Sequence, residues 1–260
     1  MIDSHCHLDF EEFDRDRDAV LTESANAGVT DLVIPGTTAD SWLRTLHLCR
    51  EHPFLHAALG LHPYFMDQHQ APDIDRLREL LVEHGEVVAV GEIGLDFALS
   101  DPDRNHQKKL VQQQLEIAAE IDLPVILHVR KAHDEMIQLL KQTPVRGGTV
   151  HAFNGSLQQA GHYQALGFCL GFGGMLTYPH SRRLHTLASQ VSRETIVLET
   201  DAPDMTGFNH HGERNSPAYL PEVRDEIAKL RNESPDEVER YTTENARRVF
   251  NLPGDSQAHV

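Results

Sequence analysis

Eight short runs rich in apolar and β-branched residues recur along the chain, and helical patterns separate most of them. The runs are MIDSHCHL, VTDLVIPG, LHAALGL, EVVAVGEIGL, PVILHV, GGTVHAF, GFCLGFG and TIVLETD. Strand alternating with helix implies a parallel sheet, because parallel neighbours need a crossover connection and that crossover is usually helical. DLVIPG, PVILHV and TIVL are continuously apolar, as strands covered on both faces are. A count of eight favours a closed (β/α)8 TIM barrel over an open doubly wound sheet. The absence of G-x-G-x-x-G after an early strand points the same way.

The helical runs have recognisable ends. DRDAVLTESANAG and DIDRLRELLVEHG finish on Gly28 and Gly85, both expected as C-terminal caps. NHQKKLVQQQLEIAAEIDLP stops before Pro124, and DEMIQLLKQTP and SRRLHTLASQV follow. Two further helices, YLPEVRDEIAKLRN and PDEVERYTTENARRVF, form a tail that could pack on the barrel or on a partner. The 260 residues are 40% hydrophobic, with no tandem repeat or Gly/Ser linker, so one α/β barrel domain over 1–260 is expected.

A net charge of -17 excludes a generic nucleic-acid-coating surface. It leaves room for a nucleic-acid enzyme whose positive charge comes from bound metal. No long apolar window suggests a membrane span, and MIDSHCH has neither the basic nor the apolar part of a secretory signal. Cys6, Cys49 and Cys169 are scattered and odd in number, which fits reduced thiols in a cytoplasmic protein.

In such a barrel the active site lies at the C-terminal ends of the strands. The polar residues there are His5 and His7, then His62, Glu92 and Asp96, His128 and Arg130, His151 followed by Asn154, and Glu199 and Asp201. In a chain with 18 His, one H-x-H pair arises easily by chance. Ionisable and metal-binding types at the same end of successive strands do not. Strand alternation turns His5 and His7 one way and Cys6 the other, into the core. Four imidazoles and two carboxylates are too many for one ion that keeps an open position. They suit two divalent ions, Zn²⁺, Mn²⁺ or Mg²⁺, sharing a carboxylate.

DSHCHLDF, LGLHPY, VGEIGLDF, PVILHVRKAHDEM, VHAFNGS, LGFGGMLTY and LETDAPDM together resemble the TatD family of metal-dependent deoxyribonucleases, in order and over almost the whole chain. HVRKAHDEM is similar to the YjjV-type branch. The resemblance implies an amidohydrolase-related barrel with a two-metal site. Its metal ligands fall on His5, His7, Glu92, His128, His151 and Asp201, with Glu92 bridging. One ion is expected on His5 and His7 with Asp201 against it, and the other on His128 and His151.

It also implies 3′–5′ exonuclease action on single-stranded DNA; a water shared by the ions is then the expected nucleophile, and Asp201 its expected proton acceptor. Asp201 and Glu92 are therefore the expected catalytic residues. His62, Arg130 and His133 are expected to bind substrate and Glu199 to orient a ligand. Tyr64, Phe65 and Phe153 are candidates to stack on bases. The rivals are an ester or amide hydrolase of a small anionic substrate and a non-catalytic metal-binding protein. Glu92, where many amidohydrolases carry a carboxylated lysine, favours the phosphodiesterase.

Overall fold

The computed structural model describes residues 1–100 and 103–253. Its parallel ladder runs in chain order: β1 (Ile2–Asp3), β2 (Asp31–Pro35), β3 (Leu55–Leu59), β4 (Ala89–Asp96), β5 (Val125–Arg130), β6 (Gly148–Val150), β7 (Phe168–Phe172) and β8 (Ile196–Leu198). The two edges meet. Ser4 N donates to Leu198 O at 2.9 Å, and Asp201 N donates to His5 O at 2.9 Å. The expected (β/α)8 barrel is therefore present and closed, although β1, β6 and β8 are shorter than their apolar runs.

Among the described residues the helices are α1 (Arg17–Asn26), α2 (Trp42–Glu51), α3 (Asp73–Glu83), α4 (Arg104–Glu120), α5 (His133–Gln142), α6 (Leu157–Ala165), α7 (Arg182–Gln190), α8 (Leu220–Arg231) and α9 (Pro235–Phe250). Helices α2 and α6 lie in stretches that gave no helical expectation. LQQAGHYQA has little apolar contrast, but Ser156 and Gln159 form a capping box at its start. Gly28 turns left-handed (φ +85°) after α1, as expected. Gly85 does not. Helix α3 ends at Glu83, and His84 N closes its last turn on Leu80 O at 2.8 Å.

Strand alternation divides the core in two. Leu32, Ile34, Leu59, Val125, Leu127, Leu170 and Leu198 face outward into the main hydrophobic cluster that the helices cover. Ile2, Val33, Ala58, Ala89, Ile126, Cys169 and Val197 fill the lumen and form one cluster with Ala246, Val249, Phe250 and Leu252 from the end of α9. Asn245 of α9 donates to Ile196 O at 2.8 Å, at the start of β8. The tail thus forms the floor of the barrel's N-terminal end, and the opposite end is the open one.

Candidate metal centre

The lumen-facing register carries polar side chains to that open end. Two residues beyond Ile126 comes His128, two beyond Val197 comes Glu199, and Ala58 leads through Gly60 to His62. Strict alternation from Ala89 would put Glu92 outside the barrel. An irregularity in register between Val90 and Ile93 supplies an extra residue, so Glu92 turns inward. Gly91 is needed beside it, since a Cβ there would lie 2.6 Å from Ile126 Cβ.

His5 and His7 follow the end of β1 and do not belong to the strand. The buried Asp3 carboxylate accepts from His5 N at 3.2 Å, Thr200 N at 3.0 Å and Thr200 Oγ1 at 2.6 Å, bracing the β1 and β8 ends together. Burial pushes its carboxyl up to about 7. Asp201, just past β8, has left-handed backbone (φ +59°), a conformation that Asp tolerates better than most residues. Cys6 is buried in the outer core and its Sγ lies 3.7 Å from Ala202 O, so it faces away from the imidazoles as expected.

The six expected ligands converge. His5 Nε2 lies 3.2 Å from His7 Nε2, 3.2 Å from Glu92 Oε2 and 3.6 Å from Asp201 Oδ1. His7 Nε2 is 3.4 Å from Glu92 Oε2 and 3.5 Å from Asp201 Oδ1. His128 Nδ1 is 3.2 Å from Glu92 Oε1, and His151 Nε2 is 3.5 Å from Asp201 Oδ2. Ligands bound at about 2.1 Å in a tetrahedron stand about 3.4 Å apart, so these separations are those of a coordination shell. The residues present therefore fit divalent ions, both in donor chemistry and in spacing.

The grouping differs from the expected partition. His5, His7 and Asp201 form one set, but His151 stacks on His5, with ring centroids 3.8 Å apart, and groups with it and Glu92. His62 joins Glu92 and His128, with Nε2 3.2 Å from Glu92 Oε1. Its Nδ1 accepts from Tyr64 N at 3.0 Å, which puts the ring proton on Nε2. A protonated Nε2 donates to Glu92 and has no lone pair for a cation. His62 is thus a hydrogen-bond donor standing among the candidate ligands.

The charges are strongly coupled. Burial opposes ionisation of Glu92, yet His62, His5 and His128 hold its carboxyl well below the usual range. Burial likewise opposes ionisation of Asp201, which His151, His5 and His7 pull down to about 2. Burial would lower His7, but the hydrogen bond and charge of Glu92, with Asp201 and Asp9, raise it to about 9. His62 is pushed down to about 4, by burial first and then by His128 despite Glu92 nearby.

A supporting layer holds these groups. Asp96 lies against His128, and Glu199 Oε1 stands 3.1 Å from His151 Nδ1 while accepting from Ala152 N at 2.6 Å. Glu199 was expected as an orienting residue. The sequence places Asp96 at its strand end without giving it a role, and gives none to Asp3 or to Phe10, whose ring stacks on His7 with centroids 4.6 Å apart. Asp3 and Phe10 flank the H-x-H motif, and that adjacency was the available signal.

Above the cluster opens a cleft of about 560 Å³. His7, His62, Glu92, His128, His151 and Asp201 line it, with Phe10, Tyr64, Phe65, Arg130 and Asn154 toward the rim. Tyr64 is 62% exposed. Two sequence expectations fare differently. Phe153 is buried among His133, Tyr163 and the core, so it cannot stack on a base. His133 lies at the start of α5 and lines a neighbouring cavity, reaching the cleft only through Asn154, 3.3 Å from its Nε2.

A closed (β/α)8 barrel with buried imidazoles and carboxylates at the C-terminal ends of its strands defines a metal-dependent hydrolase. Residues 2–251 match the model of the TatD related DNase family, and the chain belongs to that family. It is 40% identical to the metal-dependent hydrolase YjjV of Escherichia coli, over 97% of this chain and 98% of that protein. It is 33% identical to the 3′-5′ ssDNA/RNA exonuclease TatD of Erwinia tasmaniensis, over 97% of this chain and all of that one. The crystal structure of the Escherichia coli TatD homologue YjjV superposes with a TM-score of 0.94 at 39% identity, covering 97% of this chain and 98% of that one. Among the described residues no helix is long and apolar enough to cross a membrane.

Proposed function

We propose that the cleft is a two-ion site that removes nucleotides from the 3′ end of single-stranded nucleic acid, DNA above all. One observation carries the two-ion reading. The oxygens of Glu92 face different groups, Oε2 toward His5 and His7 at 3.2 and 3.4 Å, Oε1 toward His128 at 3.2 Å. Glu92 would therefore be the shared ligand; His5, His7 and Asp201 would hold one ion and His128 the other, with His151 between the sets.

Divalent ions held there would neutralise phosphoryl charge and acidify a water. Asp201, held ionised by its imidazole neighbours, would be the acceptor for that water's proton. Arg130, 55% exposed at the rim, would donate to phosphoryl oxygens, and so would His62 once ions on Glu92 draw that carboxylate away from its Nε2–H. Tyr64 and Phe65 offer ring faces to the terminal bases. The short cleft on an acidic body suits a strand end better than a wrapped duplex, and the relative's exonuclease name supports the same substrate. The free thiols Cys6, Cys49 and Cys169 fit a cytoplasmic place of action.

Hydrolysis of single-stranded DNA labelled at either end, with Mg²⁺, Mn²⁺, Zn²⁺ or chelator, tests the proposal. Loss of 3′ nucleotides that needs metal and disappears in Asp201→Asn and Glu92→Gln is expected. No cleavage with any metal, or cleavage surviving both substitutions, overturns it.

A further inference from the structure

We propose that the cavity beside the cleft, between Lys131, Asn154 and Arg183, is a second phosphate subsite that holds the nucleic-acid strand one or more nucleotides away from the scissile bond. This rests on the nucleic-acid reading above. The cavity has a volume of about 260 Å³ and shares Asn154 with the metal cleft. Arg130, on the wall of the cleft, is followed directly by Lys131, on the wall of the cavity. A chain leaving the ions past Arg130 therefore enters it.

Its cations are available. Lys131 is exposed and has no ion-pair partner among the described residues. Arg183 donates Nε to Gly155 O at 3.2 Å, and its terminal nitrogens have no acid partner among the described residues. The carboxylates on the same walls are Asp134 and Glu135, in the first turn of α5. Asp134 Oδ1 already accepts from Gln159 Nε2 at 2.8 Å, and the amides of that first turn favour negative charge there.

Asn154 is presented as a donor. His133 Nε2 lies 3.3 Å from Asn154 Oδ1, so the imidazole donates there, and its Nδ1 accepts from the Tyr163 hydroxyl at 3.1 Å. This buried chain occupies the amide oxygen and leaves the Asn154 NH₂ group for a ligand between the two cavities. His133 acts in this picture as a positioning residue.

The other side of the cleft is unsuited to a polyanion. The groove there, about 730 Å³ and joined to the cleft at Phe10, is walled by Asp9, Glu11, Glu12 and Asp40 against Arg15 and Arg44. Arg44 is already spent on Asp14. A strand seated over α5 and α7 avoids those acids.

The test compares wild type, Lys131→Ala/Arg183→Ala and Arg15→Ala in the metal-loaded protein. Substrates are a fluorescein-labelled octathymidylate and bis(p-nitrophenyl) phosphate, which has one phosphodiester and no second phosphate. The double variant should raise KM for the octanucleotide about tenfold and reduce the salt dependence of its binding by roughly one to two phosphate contacts. Its rate on the small diester should stay at the wild-type value, and Arg15→Ala should match wild type on both. Equal losses on both substrates, no loss on the octanucleotide, or an equal loss in Arg15→Ala overturns the subsite while leaving the nuclease reading intact. A wild-type protein that hydrolyses the small diester but neither binds nor cleaves the octanucleotide overturns both.

Discussion

Asp96 Oδ2 lies 3.0 Å from His128 Nε2 and 3.3 Å from Arg130 Nη1, so one buried oxygen holds a metal-ligand candidate and a rim cation together. Its other oxygen accepts from Ala98 N at 2.9 Å. Asp96 thereby fixes the ring of His128 with Nδ1 toward Glu92. Asp96→Asn removes that charge at constant size. Metal affinity should fall about 10–100-fold, and kcat should return at saturating metal. An unchanged metal titration would count against the bracing role.

His62 separates a ligand from a donor. Its Nδ1 is occupied by Tyr64 N, so its one donor is Nε2–H, which points at Glu92 Oε1 and the cleft. His62→Ala should lower kcat by about 10²–10⁴-fold while the metal content per chain, read by elemental analysis, stays at the wild-type value. Loss of an ion from this variant would make His62 a ligand.

Strand β7 contributes no side chain where Glu199 needs space. A Cβ on Gly171 would lie 2.0 Å from Glu199 Oε2. Gly171→Ala must move Glu199 off Ala152 N and His151. The metal-free protein should lose about 1–3 kcal/mol in denaturant unfolding, and the stabilisation gained by adding metal should shrink as well. A variant with the wild-type midpoint both with and without metal would show that Glu199 has room to move.

The barrel and its cluster of candidate ligands were legible because they rest on short-range rules. Buried parallel strands must be apolar, and chemistry-bearing residues gather at one end of them. Where the chain departs from those rules, the sequence was silent. Glu92 faces the lumen only because the register breaks between Val90 and Ile93, and nothing in EVVAVGEIGL announces an irregularity. The sequence predicts His5 and His7 on the strand, yet long-range bonds from Asp3 to Thr200 set their direction, across a sequence separation of 197 residues. Phe153 looked like a rim residue by position, but its ring packs on Tyr163 of a helix the sequence did not suggest. His62 is expected from the sequence to bind substrate, but the Tyr64 amide that fixes its tautomer is a contact the sequence does not show.

The floor of the barrel should affect stability and leave chemistry alone. Phe250 is buried in one hydrophobic cluster with Ile2, Val33 and Val197, at the end opposite the metal-site residues. Phe250→Ala should cost about 3–5 kcal/mol in urea unfolding, with KM and kcat unchanged at temperatures where both proteins are folded. A large loss of activity in a folded variant would reveal coupling along the barrel axis.

Metal loading should release protons. In the metal-free cluster His7 is raised from 6.5 to about 9, despite burial, by Glu92, Asp201 and Asp9, and His151 is raised well above its ordinary value by Glu199 and Asp201. Both rings are therefore biased toward imidazolium in the metal-free cluster, and ligation requires them neutral. A raised folded-state pKa stabilises the metal-free protein fully below 6.5, and that contribution is lost as pH rises through about 9. Apparent metal affinity should thus increase across the same window while the stability of the metal-free protein declines. Calorimetric titration with Zn²⁺ in buffers of different ionisation enthalpy measures the protons directly. Heats that differ between buffers, with release shrinking toward the upper end of that window, are expected. Buffer-independent heats at neutral pH would mean that the imidazoles meet the metal already neutral.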